Sequence, residues 1–458
     1  MSSPSLVSIN PATDRLIKTY QAHTVAQTDK AIKAAHKAFN SWKTSTKKER
    51  SALLLRIAKV LRSQKESLAL LATREMGKPL SQSREEVEKC ARTFEFFARE
   101  APAFLADEII QTDARKSYVS FQPLGIVLAV MPWNFPYWQV FRAMAPVLMS
   151  GNSMLLKHAS NVSGCALAIE QVLKAADAPA GLFRTLLIPS SAVEAVIARP
   201  EIAAVTFTGS TAAGRKVAAT AAAHLKKQVL ELGGSDAYIV LDDADLDLAV
   251  TTCYQARLVN TGQSCLAAKR FIVVRSVRKE FEQRMLELIR NTTYGNPEDP
   301  ANKLGPMART DLRNELHGQV LKSIAAGARL LAGGEIPGQA GAFYPATLLS
   351  NVRKGMPAYE EELFGPVAVI IEAKDEADAL KIANSSEYGL GGAVFSRNRK
   401  RAEHIAAHLL DAGNCFVNSA VHSDPRLPFG GIKHSGYGRE LSAYALREFV
   451  NIKSVFLQ

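Results

Sequence analysis

From residue 124 to residue 231, short apolar runs alternate with segments of helical periodicity, which leaves few folds open to this chain. Residues 124–130 are apolar throughout, as a parallel strand covered by helices on both faces requires. Strand-like runs at 153–156, 184–188, 204–208 and 228–231 follow, separated by helical patterns over 164–176, 192–198 and 212–225. A second series starts near Tyr238. Helices are expected over 246–259, 278–291, 310–326, 376–385 and 399–410, and strands over 270–274, 329–331, 367–372, 392–395 and 415–418. Strands that alternate with helices imply parallel, doubly wound sheets, so two α/β domains are expected. Ahead of them, residues 25–108 are helical, with Ala31, Ala34, Ala35, Ala38 and Phe39, then Leu53, Leu54, Ile57, Val60 and Leu61, at helix spacing. A short strand is expected over 118–121, and the tail 451–457, if extended, alternates Ile452, Ser454 and Phe456 against Lys453 and Val455.

The longest apolar stretch, 123–156, carries Arg142 as its only charge. Pro123, Pro132, Asn134, Pro136, Pro146 and Asn152 cut it into pieces shorter than the ~20 residues a membrane span needs. No membrane span is expected. The 458 residues are 47% hydrophobic and 22% charged, the balance of a globular protein with a core large enough to need no disulfide. Five dispersed cysteines form neither a CxxC pair nor a metal-spaced cluster, and residues 1–13 lack a secretory pattern. A reducing, cytoplasmic setting is expected. The net charge of +12 is scattered over amphipathic helices, with no nucleic-acid motif, so no nucleic-acid partner is expected.

Four segments carry chemistry. Asn260-Thr261-Gly262-Gln263-Ser264-Cys265 is a small polar turn ending in a cysteine, where backbone amides can favour a thiolate; a small buried hydrophobe fits equally well. Glu231-Leu232-Gly233-Gly234 puts a carboxylate at the end of an apolar strand, where crevices open in α/β sheets and burial can make a general base. A surface glutamate before a turn is the plainer reading. In Pro132-Trp133-Asn134-Phe135-Pro136 the Asn134 amide can donate to an oxyanion or merely shape a Pro-bounded turn. Phe207-Thr208-Gly209-Ser210-Thr211-Ala212-Ala213-Gly214 joins a strand to a helix, whose N-terminal amides attract phosphate. Its glycine spacing is not GxGxxG, and it also reads as an ordinary turn.

Taken in order with Asn10-Pro11-Ala12-Thr13, the 361–366 segment Glu361-Glu362-Leu363-Phe364-Gly365-Pro366 and the 428–436 segment Pro428-Phe429-Gly430-Gly431-Ile432-Lys433-His434-Ser435-Gly436, these motifs resemble the aldehyde dehydrogenase superfamily. The resemblance runs along nearly the whole chain and is nearest to its NAD(P)-dependent succinate-semialdehyde dehydrogenase branch. It implies Cys265 as nucleophile, Glu231 as the base for the deacylating water, and Asn134 with the Cys265 N–H as the oxyanion hole. It also implies cofactor contacts at Trp133, Lys157, Gly209, Ser210, Glu362 and Phe364, with Lys157 at the adenine ribose. The domains it implies are a Rossmann-like cofactor domain (1–109 and 126–231), a catalytic domain (232–418), oligomerisation strands (110–125 and 438–458) and a bridging segment (419–437).

Departures within the family inform specificity. Ser160 stands where many NAD-preferring relatives have Glu; a hydroxyl can donate to a 2′-phosphate, so NADP is expected, with NAD also accepted. Arg142 matches an arginine of the succinate-semialdehyde branch, and a buried cation without a partner would take a carboxylated aldehyde. An internal salt bridge is the competing account. That branch's second arginine is replaced by Val259, leaving Ser264 and Ser419 as hydroxyl donors, and Ala267 removes its second cysteine. A broad aliphatic aldehyde dehydrogenase, an acylating relative using coenzyme A, and a silent binding protein of the same fold are the alternatives; Cys265 and Glu231 argue against the last two. The resemblance also implies a homodimer or homotetramer, with 117–122 and 451–457 as the exchanging strands.

Overall fold

The computed structural model describes residues 5–458; the first four residues of the unit expected to start at residue 1 lie outside it. Two sheets dominate the described residues. The first has six strands, in the spatial order Gly436–Tyr437, Lys227–Glu231, Ile202–Thr208, Ile126–Met131, Ser153–His158, Phe183–Thr185. All its pairings are parallel except the first. Its central strand Ile126–Met131 is buried at every position, which is why that segment is apolar without alternation.

The second sheet has seven strands, ordered Arg329–Ala332, Thr347–Ser350, Val367–Ala373, Arg270–Val274, Ala237–Val240, Gly391–Phe395, Asn414–Val417. It is parallel except for the pairing of Arg329–Ala332 with Thr347–Ser350. The α/β class with doubly wound parallel sheets therefore holds. Among the described residues no helix is long and apolar enough to cross a membrane.

Two features depart from the sequence reading. The apolar stretch after Pro136 contains the helix Trp138–Met149, all twelve of whose residues are buried. That helix is enclosed on every side, and with Pro146 inside it and Pro132 and Pro136 just before it, the apolar stretch reads as broken pieces in the sequence. An antiparallel hairpin, Ser5–Asn10 with Arg15–Gln21, precedes the first helix. Within the chain the two segments expected to exchange lie together: Val450–Leu457 runs antiparallel to Lys116–Pro123 over eight residues. The edge left open to another copy is the outer side of Val450–Leu457, where Ile452 and Phe456 are exposed.

Candidate active site

The helix Leu246–Leu258 ends in a sharp reversal in which Asn260, Thr261 and Gly262 take φ of +53°, +55° and +72° in succession. Each L-residue in that region costs about 1–2 kcal/mol, so the turn must be held from outside. Asn260 donates through Nδ2 to the carbonyls of Asn134 (2.7 Å) and Gln263 (3.0 Å), and through its backbone N–H to Gln82 (2.7 Å). A Cβ on Gly262 would stand 2.2 Å from the Gly365 carbonyl oxygen, so only glycine fits. The buried Arg257 guanidinium donates to the carbonyls of Gly262 and Leu363, each at 3.0 Å, and to Gly365. Burial pulls it down to about 9. The cysteine loop and the 362–365 loop are thereby fixed to each other.

Cys265 closes this loop at the wall shared by two cavities. One, of about 280 Å3, is lined by Trp133, Asn134, Thr208, Ser210, Glu362 and Phe364. Burial pushes the Cys265 thiol up to about 12, opposed first by the Lys269 ammonium and then by Arg142. Asn134 is buried and donates through Nδ2 to the Gln263 carbonyl at 3.1 Å. A primary amide has two N–H groups, so one remains for a ligand. The Cys265 backbone N–H has no acceptor among the described residues.

Glu231 ends the strand Lys227–Glu231 and is fully enclosed. Gly436 pairs with it across the sheet edge, and its Oε1 lies 2.8 Å from where a Cβ on Gly430 would be. It lines neither cavity at Cys265. Both carboxylate oxygens lack a hydrogen-bond donor among the described residues. Burial first, and then the neighbouring Glu440, raise its carboxyl well above the usual range, so it is placed to hold a proton.

Lys269, which the sequence reading passed over, donates to the carbonyls of Ser264 (2.9 Å), Cys265 (2.8 Å) and Ala267 (3.2 Å) and pairs with Glu362 at 3.2 Å. Glu362 also accepts from the Gly234 N–H at 3.1 Å. Trp133 and Phe364 meet edge to face, with ring centroids 5.8 Å apart.

Beyond Thr208 the first cavity continues into a cleft of about 700 Å3 that includes Lys157, Ser190, Gly209 and Ser210. Ser210 caps the helix Thr211–Ala223, whose N-terminal amides face the cleft side of the turn. A Cβ on Gly209 would lie 2.7 Å from the Phe207 ring. The Thr208 hydroxyl is buried with no partner among the described residues. The Lys157 amine, lowered by burial, has the Ser190 hydroxyl, at 3.1 Å, as its one hydrogen-bond partner among the described residues. A lysine, free hydroxyls and a helix N-terminus form a donor set that fits the phosphates and ribose of a dinucleotide. Ser160 opens the short helical turn Ser160–Val162 and is exposed, one place beyond Ala159 on the cleft wall.

The second cavity, of about 380 Å3, runs from Cys265 past Ser264, Arg142 and Lys89 between the rings of Phe135, Trp138 and Phe429. The premise that Arg142 lacks a partner is corrected here. Its Nη2 lies 2.5 Å from Glu440 Oε2, and both side chains are buried. The contact is an ion pair without hydrogen-bond alignment, so both groups keep unused hydrogen-bonding capacity. Ser419 does not line the cavity; Ser423, four residues on, does. The Lys89 amine, on the helix Leu80–Phe104, donates to the Ser423 hydroxyl at 2.7 Å and lies 4.2 Å from the centre of the Trp138 ring. Nothing local in the Glu85–Cys90 sequence marks it out, because the pocket is assembled from distant segments. Among the described residues no group of His, Cys, Asp and Glu could hold a metal ion.

The family model described as the aldehyde dehydrogenase family matches residues 1–455. The chain is 46% identical to the succinate semialdehyde dehydrogenase [NAD(P)+] of Escherichia coli K12, covering 98% of this chain and 97% of that protein. It is 44% identical to succinate-semialdehyde dehydrogenase [NADP(+)] 1 of Mycobacterium tuberculosis H37Rv, with 99% of each covered. The solved succinic semialdehyde dehydrogenase of Streptococcus pyogenes, in complex with NADP+, superposes with a TM-score of 0.96 at 37% identity, with 99% of each chain covered.

Proposed function

Given that the chain belongs to the aldehyde dehydrogenase family, we propose that it oxidises succinate semialdehyde to succinate, with NADP preferred and NAD accepted. One observation carries this reading. Cys265 sits where a cavity leading to a phosphate-suited cleft meets a second cavity bearing the cations Arg142 and Lys89. The relatives named for succinate semialdehyde and NADP support it.

The chemistry follows from the chain's own groups. Cys265 Sγ, as thiolate, attacks the aldehyde carbon and forms the C–S bond. The oxygen then carries the charge and accepts from the Asn134 amide and the Cys265 N–H. Losing one such donor typically costs about 10²–10³ in rate. The bound dinucleotide supplies the acceptor for the hydride that leaves this carbon, and a thioester remains on Cys265. Glu231 gives up its proton to solvent as it turns out of its enclosed place beside Gly430; as carboxylate it takes a proton from water, and the water oxygen adds to the thioester carbon. The C–S bond breaks, sulfur leaves as thiolate, and the acid departs. Glu362, anchored by Lys269 and the Gly234 N–H, would hold the nicotinamide ribose, and Phe364 and Trp133 would wall the nicotinamide end. Lys157 would meet the adenine ribose and Ser210 the pyrophosphate, while Ser160 would favour a 2′-phosphate at the cleft rim.

A dimer or tetramer fits the open edge of Val450–Leu457 and its exposed Ile452 and Phe456. A cytoplasmic setting suits the five free cysteines.

Steady-state rates with succinate semialdehyde and with butyraldehyde, each with NADP and NAD, test the reading. The semialdehyde is expected to be favoured by kcat/KM and NADP to outperform NAD, with Ser160→Glu moving the preference toward NAD. Equal turnover of butyraldehyde would reduce the substrate to aliphatic aldehydes in general.

A further inference from the structure

Two cations reach the second cavity, and their charges stand differently. Arg142 already faces Glu440, so it has a carboxylate partner inside the protein. Lys89 has no carboxylate within ion-pairing distance among the described residues. The acids nearest it in sequence are committed elsewhere. Glu86 pairs with the buried Lys78 and accepts from the N–H groups of Tyr137 and Trp138, both at 2.8 Å. Glu85 pairs with Arg92 and Glu88 with Arg62. The contacts that remain to the Lys89 amine are neutral, the Ser423 hydroxyl and the face of Trp138.

A largely buried ammonium without a counter-charge is costly, and a ligand that brings an anion relieves that cost. Burial, followed by the charge of Arg142, draws this amine down to about 8, a shift that a bound carboxylate would oppose. The cavity that holds Lys89 and Cys265 is walled in part by the rings of Phe135, Trp138 and Phe429, as suits a short methylene chain.

We infer that Lys89, with the Ser423 hydroxyl, is the anchor for the distal carboxylate of the substrate and the residue that sets preference for carboxylated aldehydes. The inference rests on the succinate semialdehyde reading above and refines it. Arg142, paired with Glu440, lends hydrogen-bonding capacity to the same cavity. The carboxylate enters against Lys89 and Ser423, and the aldehyde end reaches the Cys265 sulfur.

The test is the ratio of kcat/KM for succinate semialdehyde to that for butyraldehyde, measured in the wild type, Lys89→Gln, Lys89→Arg and Ser423→Ala. Gln, one atom shorter, keeps a hydrogen-bonding head while removing the charge. Lys89→Gln should lower the ratio by about 30-fold or more, chiefly through KM for the semialdehyde, as loss of one partner of a buried charge pair does. Lys89→Arg should restore most of the ratio, and Ser423→Ala should lower it by a few-fold. Succinate binding to the Cys265→Ala protein should weaken in parallel when Lys89→Gln is added, a readout independent of turnover. A preference for the semialdehyde that survives Lys89→Gln overturns the assignment. A wild type with no such preference overturns the substrate reading itself, and the assignment with it.

Discussion

The Cys265 thiol, raised by burial to about 12, needs help to ionise near neutrality, and Lys269 gives the largest opposing effect. Lys269 also clamps the loop through three carbonyls and holds Glu362, so it is a positioning residue for both nucleophile and cofactor. Removing a cation destabilises the neighbouring thiolate and raises the thiol further. The kcat/KM profile should therefore rise from acid toward alkaline pH, and in Lys269→Met its rising limb should move up by about one pH unit. Lys269→Arg should move it back. A limb that stays put while activity falls would make Lys269 a purely structural clamp. At this scale the sequence was legible where a motif carries its own local geometry: Cys265, Asn134 and Glu231 could each be named as candidates from their own segments. Lys269, Glu440 and Lys89 could not, because their importance lies in partners from distant segments. Arg142 was misjudged for the same reason; Glu440 lies 298 positions away along the chain and meets it only in the fold.

Helices in this protein do more than cover sheets. Glu86, from the long helix Leu80–Phe104, accepts from the first N–H groups of the helix Trp138–Met149, where a carboxylate complements both the unpaired donors and the helix dipole. It also neutralises Lys78, whose amine is fully buried and lowered by that burial. The Pro132–Pro136 segment carrying Asn134 runs directly into the capped helix. Glu86→Ala should cost about 3–5 kcal/mol of stability, because it leaves the Lys78 charge unpaired. Adding Lys78→Met should recover a large part of that loss. Urea unfolding of the two variants measures it, and a single variant within 1 kcal/mol of wild type (an order-of-magnitude bound) would refute the role. The amphipathic period of residues 25–108 predicted helices, and the starts were available too: Thr24 with Gln27 and Thr46 with Glu49 are capping boxes. The strand Thr347–Ser350 is only four residues long, and the helix Trp138–Met149 contains Pro146 and lies in a proline-broken apolar stretch, so neither stood out in the sequence.

On the scale of the whole molecule, catalysis depends on joining segments from opposite ends of the chain. The alternation of strands and helices was enough to expect parallel, doubly wound sheets, but not the strand order, because Ala237–Val240 pairs with Gly391–Phe395 and Arg270–Val274 with Val367–Ala373, segments far apart in sequence. The return of the chain's end was hidden. Gly436–Tyr437 adds a two-residue strand beside Lys227–Glu231 and so encloses Glu231, a pairing too short to leave a sequence pattern. The cysteine loop belongs to the connections of the seven-stranded sheet, while Asn134 and Glu231 follow strands of the six-stranded one. The reacting groups therefore meet only when both sheets are formed and Arg257 has tied the 260–265 loop to 362–365. The account stands on Cys265 carrying the acyl group and Glu231 driving its release. The most direct measurement is the intact mass of Glu231→Gln protein after mixing with succinate semialdehyde and NADP, followed by peptide mapping. One succinyl group per chain, located on Cys265 and formed with one equivalent of reduced cofactor, is the predicted result. An unmodified protein that still turns over, or an acyl group on any other residue, would contradict it.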